Sequence, residues 1–259
     1  MRGDNMDTLR RLWEHRKPRE LESVLQELVE SLKEFLGRDL RAIVLYGSAA
    51  SGEYLPTKSN INILVIATVF EASHWRKLQP LMRTWSRRRI GVPFVLTESE
   101  LREWARSFPI EFLDIQANHR VLMGEDIVLA LPVDHTWLRW QCESELRGKL
   151  LHLRQAFIVG LKGATVGQLL ERSLTSLLPI FRALLKLKGQ TPPTKKHDLI
   201  RALSEAFQIS GEVFEKILQV KEGRHGWSRQ KPTVAFEQYL MTIEQLVTAV
   251  DALEKAVRA

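Results

Sequence analysis

The chain has 259 residues, of which 44% are hydrophobic and 27% are charged, and its formal net charge is +7. Its longest apolar run, from Ile63 to Ala67, is far shorter than the roughly 20 residues that a membrane-spanning helix needs, so no membrane partner is expected. Cys142 is the single cysteine, which excludes an intrachain disulfide and a thiolate metal cluster within the chain.

The positive charge favours a polyanionic partner such as a nucleoside triphosphate, RNA or an acidic protein, because it raises the local concentration of anions. Basic clusters occur at Arg87–Arg89 and Lys195–His197, but no aromatic residues alternate with them regularly, so nucleic acid is not the expected partner. The first residues are charged and lack the apolar core of a secretory signal. We therefore expect a cytoplasmic location.

The first half of the sequence combines helical and strand-like patterns. Apolar residues recur at helical spacing from Leu9 to Leu36 and predict an amphipathic helix that is interrupted near Pro18. Strands are predicted next, on either side of a glycine-bearing loop, and a further helix and strand follow. The predicted strands are residues 41–46, 60–68 and 92–97, and the predicted helix is residues 71–89.

The second half of the sequence is predicted to be helical. Thr97 and Glu100 have the spacing of a capping box, which opens a helix after the third strand. Past the turn-like segment 132–134 the pattern is helical only, which predicts an antiparallel bundle. The predicted helices are residues 135–160, 164–188, 197–208, 212–221 and 233–257. We therefore predict an α/β domain over residues 1–133 and a helical domain over residues 134–259.

One segment carries a specific motif, LYGSAASGEYLPTKSNINILVI, in which Gly47 and Ser48 are followed at a fixed distance by Ser59 and a buried strand. This segment resembles the signature of the nucleotidyltransferase superfamily, including aminoglycoside (kanamycin) nucleotidyltransferases and their minimal relatives. The resemblance covers roughly residues 30 to 130. It implies an α+β fold, in which a mixed, polymerase-β-like sheet with flanking helices precedes an all-α helix bundle.

The phosphate-binding half of this motif is present. Glycine at position 47 lets the backbone approach a phosphate closely, and the Ser48 hydroxyl and neighbouring amides can donate hydrogen bonds to its oxygens. By the resemblance, Gly47, Ser48 and Ser59 are the predicted nucleotide-binding residues.

The metal-binding half of the motif is altered. In the superfamily two aspartates at alternate positions of the strand hold Mg²⁺ ions, whereas this chain has Asn60 and Asn62 there. Mg²⁺ is usually secured by carboxylate charge, and one unit charge at 4 Å is worth about 4 kcal/mol at an effective dielectric of 20. We therefore expect a lost metal site, an altered one, or a strand that binds nucleotide without metal.

No acid visibly replaces the missing aspartates. The strand that usually supplies a third carboxylate reads GVPFVLT and contains none. Glu111 and Asp114 are the nearest acidic candidates for metal ligation or general-base catalysis. The alternative is a structural role for both, for example in an ion pair with Arg120 or Arg102.

Three functions follow from these observations. The first is a nucleotidyltransferase-fold protein that is impaired or inactive in catalysis and that binds a nucleotide or a partner through the Gly47/Ser48 loop. The second is an active enzyme that uses Mg²⁺ to move a nucleoside monophosphate from a triphosphate to a hydroxyl acceptor, with Asn62 and either Glu111 or Asp114 holding the metal. The third is an interaction module that forms a homodimer through the helix bundle.

Overall fold

A mixed four-stranded β-sheet forms the centre of the first half of the chain. This computed structural model describes residues 4–54, 59–160, 164–224, 226–227 and 232–258. The sheet order is β3-β2-β1-β4, with β1 antiparallel to both β2 and β4, and with β2 parallel to β3. The strands are β1 (Leu40–Tyr46), β2 (Asn62–Ala67), β3 (Phe94–Thr97) and β4 (His119–Met123).

The two central strands are buried on both faces because their sequences are continuous apolar runs. Ile43 and Ile63 lie on one face, Val44 and Leu64 lie on the other, and none of them is more than 1% exposed. The prediction gave β1 and β2 to within two residues at each end. It did not include β4, whose register pairs Tyr46 with His119.

Helices cover the sheet face that carries Ile43 and Ile63. Leu28 and Leu32 of α1 (Asp4–Leu36) and Trp85 of α2 (Ala72–Arg87) pack in the same apolar cluster as these strand residues. The opposite face carries Tyr46, Asn62 and Phe94, since alternate residues of a strand point to opposite faces.

The prediction that the first helix is interrupted near Pro18 is wrong, because α1 runs continuously from Asp4 to Leu36. A proline removes one backbone donor from a helix, and the remaining hydrogen bonds of so long a helix carry it through this position. Pro80 and Pro179 also lie inside helices.

The predicted capping box is present at the start of α3 (Glu98–Ser107). The Thr97 backbone N–H donates to Glu100 Oε2 at 2.8 Å, and the Glu100 N–H donates to the Thr97 hydroxyl at 3.3 Å. These bonds satisfy amide groups that the first turn of a helix leaves without intrahelical partners.

The second half of the chain is helical, as predicted. Its core contains Phe181, Phe214 and Tyr239, whose rings contact one another in sequence at centroid distances of 5.2 and 5.5 Å. Cys142 is fully buried in this core, and burial raises the pKa of its thiol to about 12. The helices of this half are α5 (His135–Val159), α6 (Ala164–Leu187), α7 (Lys196–Phe207), α8 (Glu212–Glu222) and α9 (Pro232–Arg258). A further helix, α4 (Pro109–Ala117), precedes β4 in the chain and contributes to the same core.

The chain divides into two compact units, and each unit is made of two separate segments of the chain. The first unit comprises Met1–Trp104 and Asn118–Leu131, and the second comprises Ala105–Ala117 and Pro132–Ala259. Residues 109–117, which the sequence prediction placed in the α/β domain, form α4 of the helical unit because Ile110 and Leu113 pack in the helical core. Within the described ranges, no helix combines the length and the apolar character that crossing a membrane requires.

Candidate functional site

A tight turn directly after β1 carries the predicted phosphate-binding residues. Gly47–Ala49 form a short 3₁₀ turn, in which Gly47 has a φ of +76° that favours glycine. The Gly47 N–H donates to the Asn118 carbonyl at 2.8 Å, and the Gly47 carbonyl accepts from the N–H groups of Ala50 and Ser51 at 3.0 Å. These bonds fix the turn at the end of β1, beside the start of β4.

The asparagine segment enters β2 in an extended conformation. Ile61, between the two asparagines, bridges to Ile90 in parallel and is 2% exposed, with its N–H donating to the Arg89 carbonyl at 2.9 Å. Because side chains alternate, Asn60 and Asn62 point away from the face that buries Ile61. Asn60 is exposed and Asn62 is half-buried. Ser59 precedes them and is half-buried, while the adjacent residues 55–58 lie outside the described residues.

The Asn62 amide occupies a space that two glycines leave open. A Cβ atom added to Gly47 would stand 3.2 Å from Asn62 Nδ2, and one added to Gly91 would stand 3.4 Å from Asn62 Oδ1. The side chain therefore lies beside the Gly47–Ala49 turn, and Nδ2 is its atom nearest to Gly47.

This donor set does not fit Mg²⁺. The ion prefers charged oxygen ligands in octahedral geometry, and an asparagine offers one neutral oxygen. Across the part of the chain that the structure describes, no group of three or more His, Cys, Asp or Glu side chains is arranged to hold a metal ion. The arrangement can instead donate hydrogen bonds to an anion, from Asn62 Nδ2 and the Ser48 hydroxyl.

Glu111 and Asp114, the acidic candidates, lie on α4 in the helical unit, where each contacts a residue of that unit. Gln141 Nε2 donates to Glu111 Oε2 at 2.8 Å, while Gln141 Oε1 accepts from the Ile110 N–H at 3.0 Å. Arg182 Nη1 donates to Asp114 Oδ1. Burial raises the pKa of Asp114, and the Arg182 guanidinium opposes that rise.

The ion pair of Asp114 therefore involves a different arginine from the two suggested by the sequence. Arg120 instead binds Glu22 of α1, with its Nη1 donating to Glu22 Oε1 at 2.8 Å. This difference follows from the assignment of α4 to the helical unit, since its side chains pack against α5 and α6.

Sequence reasoning missed two side chains on the asparagine face of the sheet. The registers pair Tyr46 with Asn62 on β2 and with His119 on β4, so these three residues form a row across the sheet. His119 Nε2 contacts Asp126 Oδ2 at 3.0 Å. Burial opposes ionisation of Asp126, but its hydrogen bonds with His119 and with the Leu129 N–H outweigh that effect and lower its pKa.

An aromatic pair lies on the same face. The rings of Tyr46 on β1 and Phe94 on β3 are parallel within 1°, with their centroids 6.2 Å apart. Phe94 pairs with Leu64 in the sheet and is 43% exposed. The sequence offered one signal for this pair: Phe94 lies in the segment GVPFVLT, the predicted strand that lacks the third carboxylate of the superfamily.

Comparison with known proteins identifies the fold. No protein-family model matches the sequence, and no curated protein matches it. A solved structure is similar: spectinomycin adenyltransferase AAD(9) from Enterococcus faecialis, with ATP and spectinomycin, aligns over 86% of this chain and 99% of that chain. The TM-score is 0.55 and the sequence identity is 12%, so the similarity concerns the fold. The chain has the nucleotidyltransferase fold. The fold class that the motif implied is thereby confirmed.

Proposed function

We propose that this chain is a nucleotide-binding protein of the nucleotidyltransferase fold that binds the triphosphate without a catalytic metal and is impaired in nucleotidyl transfer. The observation that carries this proposal is the position of the Asn62 amide beside the Gly47 turn, where the superfamily motif has a carboxylate.

The charge of the site supports this proposal. In the absence of metal, aspartates at positions 60 and 62 would repel a triphosphate, by about 4 kcal/mol for each pair of unit charges at 4 Å and an effective dielectric of 20. Asparagines remove that repulsion. Because Nδ2 carries two donors, Asn62 can also hydrogen-bond a phosphate oxygen.

The similarity to AAD(9), which has ATP in its structure, supports a nucleoside triphosphate as the ligand. The turn at Gly47 and Ser48 supplies the geometry for the phosphates. The contacts of Glu111 with Gln141 and of Asp114 with Arg182 favour a structural role for both acids over metal ligation.

The test is calorimetric titration of ATP and GTP in the presence of Mg²⁺ and in the presence of a chelator. Wild type should bind with the same affinity in both conditions. The Asn60→Asp, Asn62→Asp double variant should bind weakly with chelator and more tightly with Mg²⁺, because two carboxylates repel the free triphosphate and attract the metal complex.

A matched control adds the same charge elsewhere in the first unit. Ser73 and Gln79 are exposed on α2, so Ser73→Asp with Gln79→Asp should leave the metal dependence of wild type unchanged. Binding by wild type only with Mg²⁺, or transfer of a nucleoside monophosphate by wild type, would contradict the proposal and favour the active enzyme.

A further inference from the structure

The exposed ring of Phe94 lies on the edge strand of the sheet, on the face that carries Asn62. Phe94 is 43% exposed, and Val92, just before β3, is 76% exposed. Exposed apolar side chains that lie together on a binding face are typical of ligand-contacting surfaces.

The aromatic pair adjoins the phosphate-binding turn. Tyr46 immediately precedes Gly47 and is the lateral neighbour of Asn62, while Phe94 is the neighbour of Leu64, two residues further along β2. Tyr46 and Phe94 thus lie on either side of β2, and the two strand spacings between their backbones amount to about 10 Å. A ligand with phosphates on the turn and a planar ring one sugar away could place that ring against Phe94.

The chemistry of the rings selects the ligand. Aromatic side chains stack on nucleobases, and this stacking tolerates different bases because every base has a flat π-face. The two protein rings are parallel within 1° of each other, so a third planar ring could lie parallel to both.

We infer that Phe94, supported by the parallel ring of Tyr46, forms a stacking surface for the base of a nucleotide whose phosphates lie on the Gly47/Ser48 turn. This inference rests on the proposed nucleotide-binding function and assigns the base a binding surface. It gives the third strand a recognition role in place of the carboxylate that the superfamily usually has there.

The experiment separates the base from the phosphates by titrating two probes, ATP and inorganic tripolyphosphate, into wild type and three variants. Phe94→Leu removes the ring and keeps an apolar side chain, and Phe94→Tyr keeps the ring. Trp75→Leu is the matched control, because Trp75 is 48% exposed on α2, on the other side of the sheet.

Phe94→Leu should weaken ATP binding roughly tenfold, within the range expected for one stacked base, and should leave tripolyphosphate binding unchanged. Phe94→Tyr and Trp75→Leu should bind ATP as wild type does. Circular dichroism and thermal unfolding of each variant show that it is folded, and Phe94→Tyr tests the ring independently of the leucine variant.

The other outcomes are distinguishable. If wild type binds tripolyphosphate and Phe94→Leu binds ATP as tightly as wild type, the stacking surface is refuted and the proposed function stands. If wild type binds neither ATP nor tripolyphosphate, the proposed function fails, and the base surface fails with it.

Discussion

The side-chain amide of Asn62 lies so close to Gly47 that a Cβ atom at position 47 would stand 3.2 Å from Asn62 Nδ2. The amide of Asn62, the first residue of β2, thus lies next to the turn at Gly47. A side chain at position 47 would crowd this amide, so a substitution there tests the turn and the amide together.

Gly47→Ala should lower the free energy of unfolding by about 1 to 3 kcal/mol, since alanine is strained at a φ of +76°, and it should also weaken tripolyphosphate binding. Gly52→Ala is the control, because Gly52 has a φ of +78° and a Cβ atom added there would meet no atom of the described residues within 4 Å. The control should lower the free energy of unfolding through backbone strain, and it should leave tripolyphosphate binding unchanged. Urea unfolding and calorimetry measure the two effects, and identical binding by both variants would argue against the contact.

Asp114→Asn should lower the free energy of unfolding by about 3 to 5 kcal/mol, because it leaves the charge of Arg182 buried without its carboxylate. The side chain of Arg182 is 7% exposed and that of Asp114 is 20% exposed. Replacing both residues, by Asn and Met, should cost less than the single change, since burial of the pair is itself costly.

The control for this pair is Glu244→Gln, which removes the carboxylate that Arg154 binds on the surface of the helical unit, where the two side chains are 40% and 54% exposed. It should cost less than about 1 kcal/mol. A double variant that is less stable than Asp114→Asn alone would contradict the explanation.

His197 should make the stability of the helical unit depend on pH. Its Nδ1 faces Glu215 of α8 and its Nε2 lies 3.1 Å from Glu222, so both ring nitrogens face carboxylates. Burial lowers the pKa of His197, but the two hydrogen-bonded carboxylates outweigh burial and raise it. A raised pKa stabilises the fold fully below the ordinary value of about 6.5, and this contribution is lost as pH rises through the folded-state pKa.

The measurement is the difference in unfolding free energy between wild type and His197→Gln, taken from about pH 6 upward. The difference should be largest at the acidic end and should shrink as pH rises. His152→Gln, at an exposed position on α5, is the control and should show a smaller dependence. A difference for His197→Gln that stays constant with pH would mean that its contacts do not depend on its charge.

Arg89→Gly should raise the free energy of unfolding by about 1 kcal/mol, because Arg89 has a φ of 59° in the turn that ends α2. The turn is closed by a hydrogen bond from the Ile90 N–H to the Trp85 carbonyl at 3.0 Å. Arg89→Ala keeps the strain and removes the charge, so it should not stabilise. Thermal unfolding of the two variants distinguishes backbone strain from charge, and equal stability would rule out strain as the cause.

The sequence predicted most of the fold because its local signals were strong. The apolar runs of β1 and β2, on either side of the Gly47 turn, indicated the motif, and helical spacing gave the bundle. The strand β4 was missed because its five residues include His119 and Arg120, so it lacks a continuous apolar run. The alternation of its side chains between the two faces of the sheet can be recognised only once β1 is known to be its neighbour.

The candidate site could be predicted only in part. The identities of Asn60 and Asn62 were visible in the sequence, but the fit of Asn62 between Gly47 and Gly91 depends on residues far apart in the chain. The placement of Phe94 against Tyr46 likewise depends on the sheet order. The segment FPIEFLDI, which contains most of α4, is apolar enough to predict that it is buried. Its sequence does not show whether the core of the first unit or that of the helical unit buries it.

The membership of α4 in the helical unit has a consequence for any attempt to dissect the protein genetically. The chain enters the helical unit at Ala105, returns at Asn118 and enters it again at Pro132, so neither unit can be cloned as one uninterrupted reading frame. A truncation after residue 133 would leave α4 without the core in which it packs, and Arg182 of the other fragment would lose its partner Asp114. For the same reason, exchange of either unit between homologous genes would need more than one recombination junction. We therefore expect the two units to be inherited together.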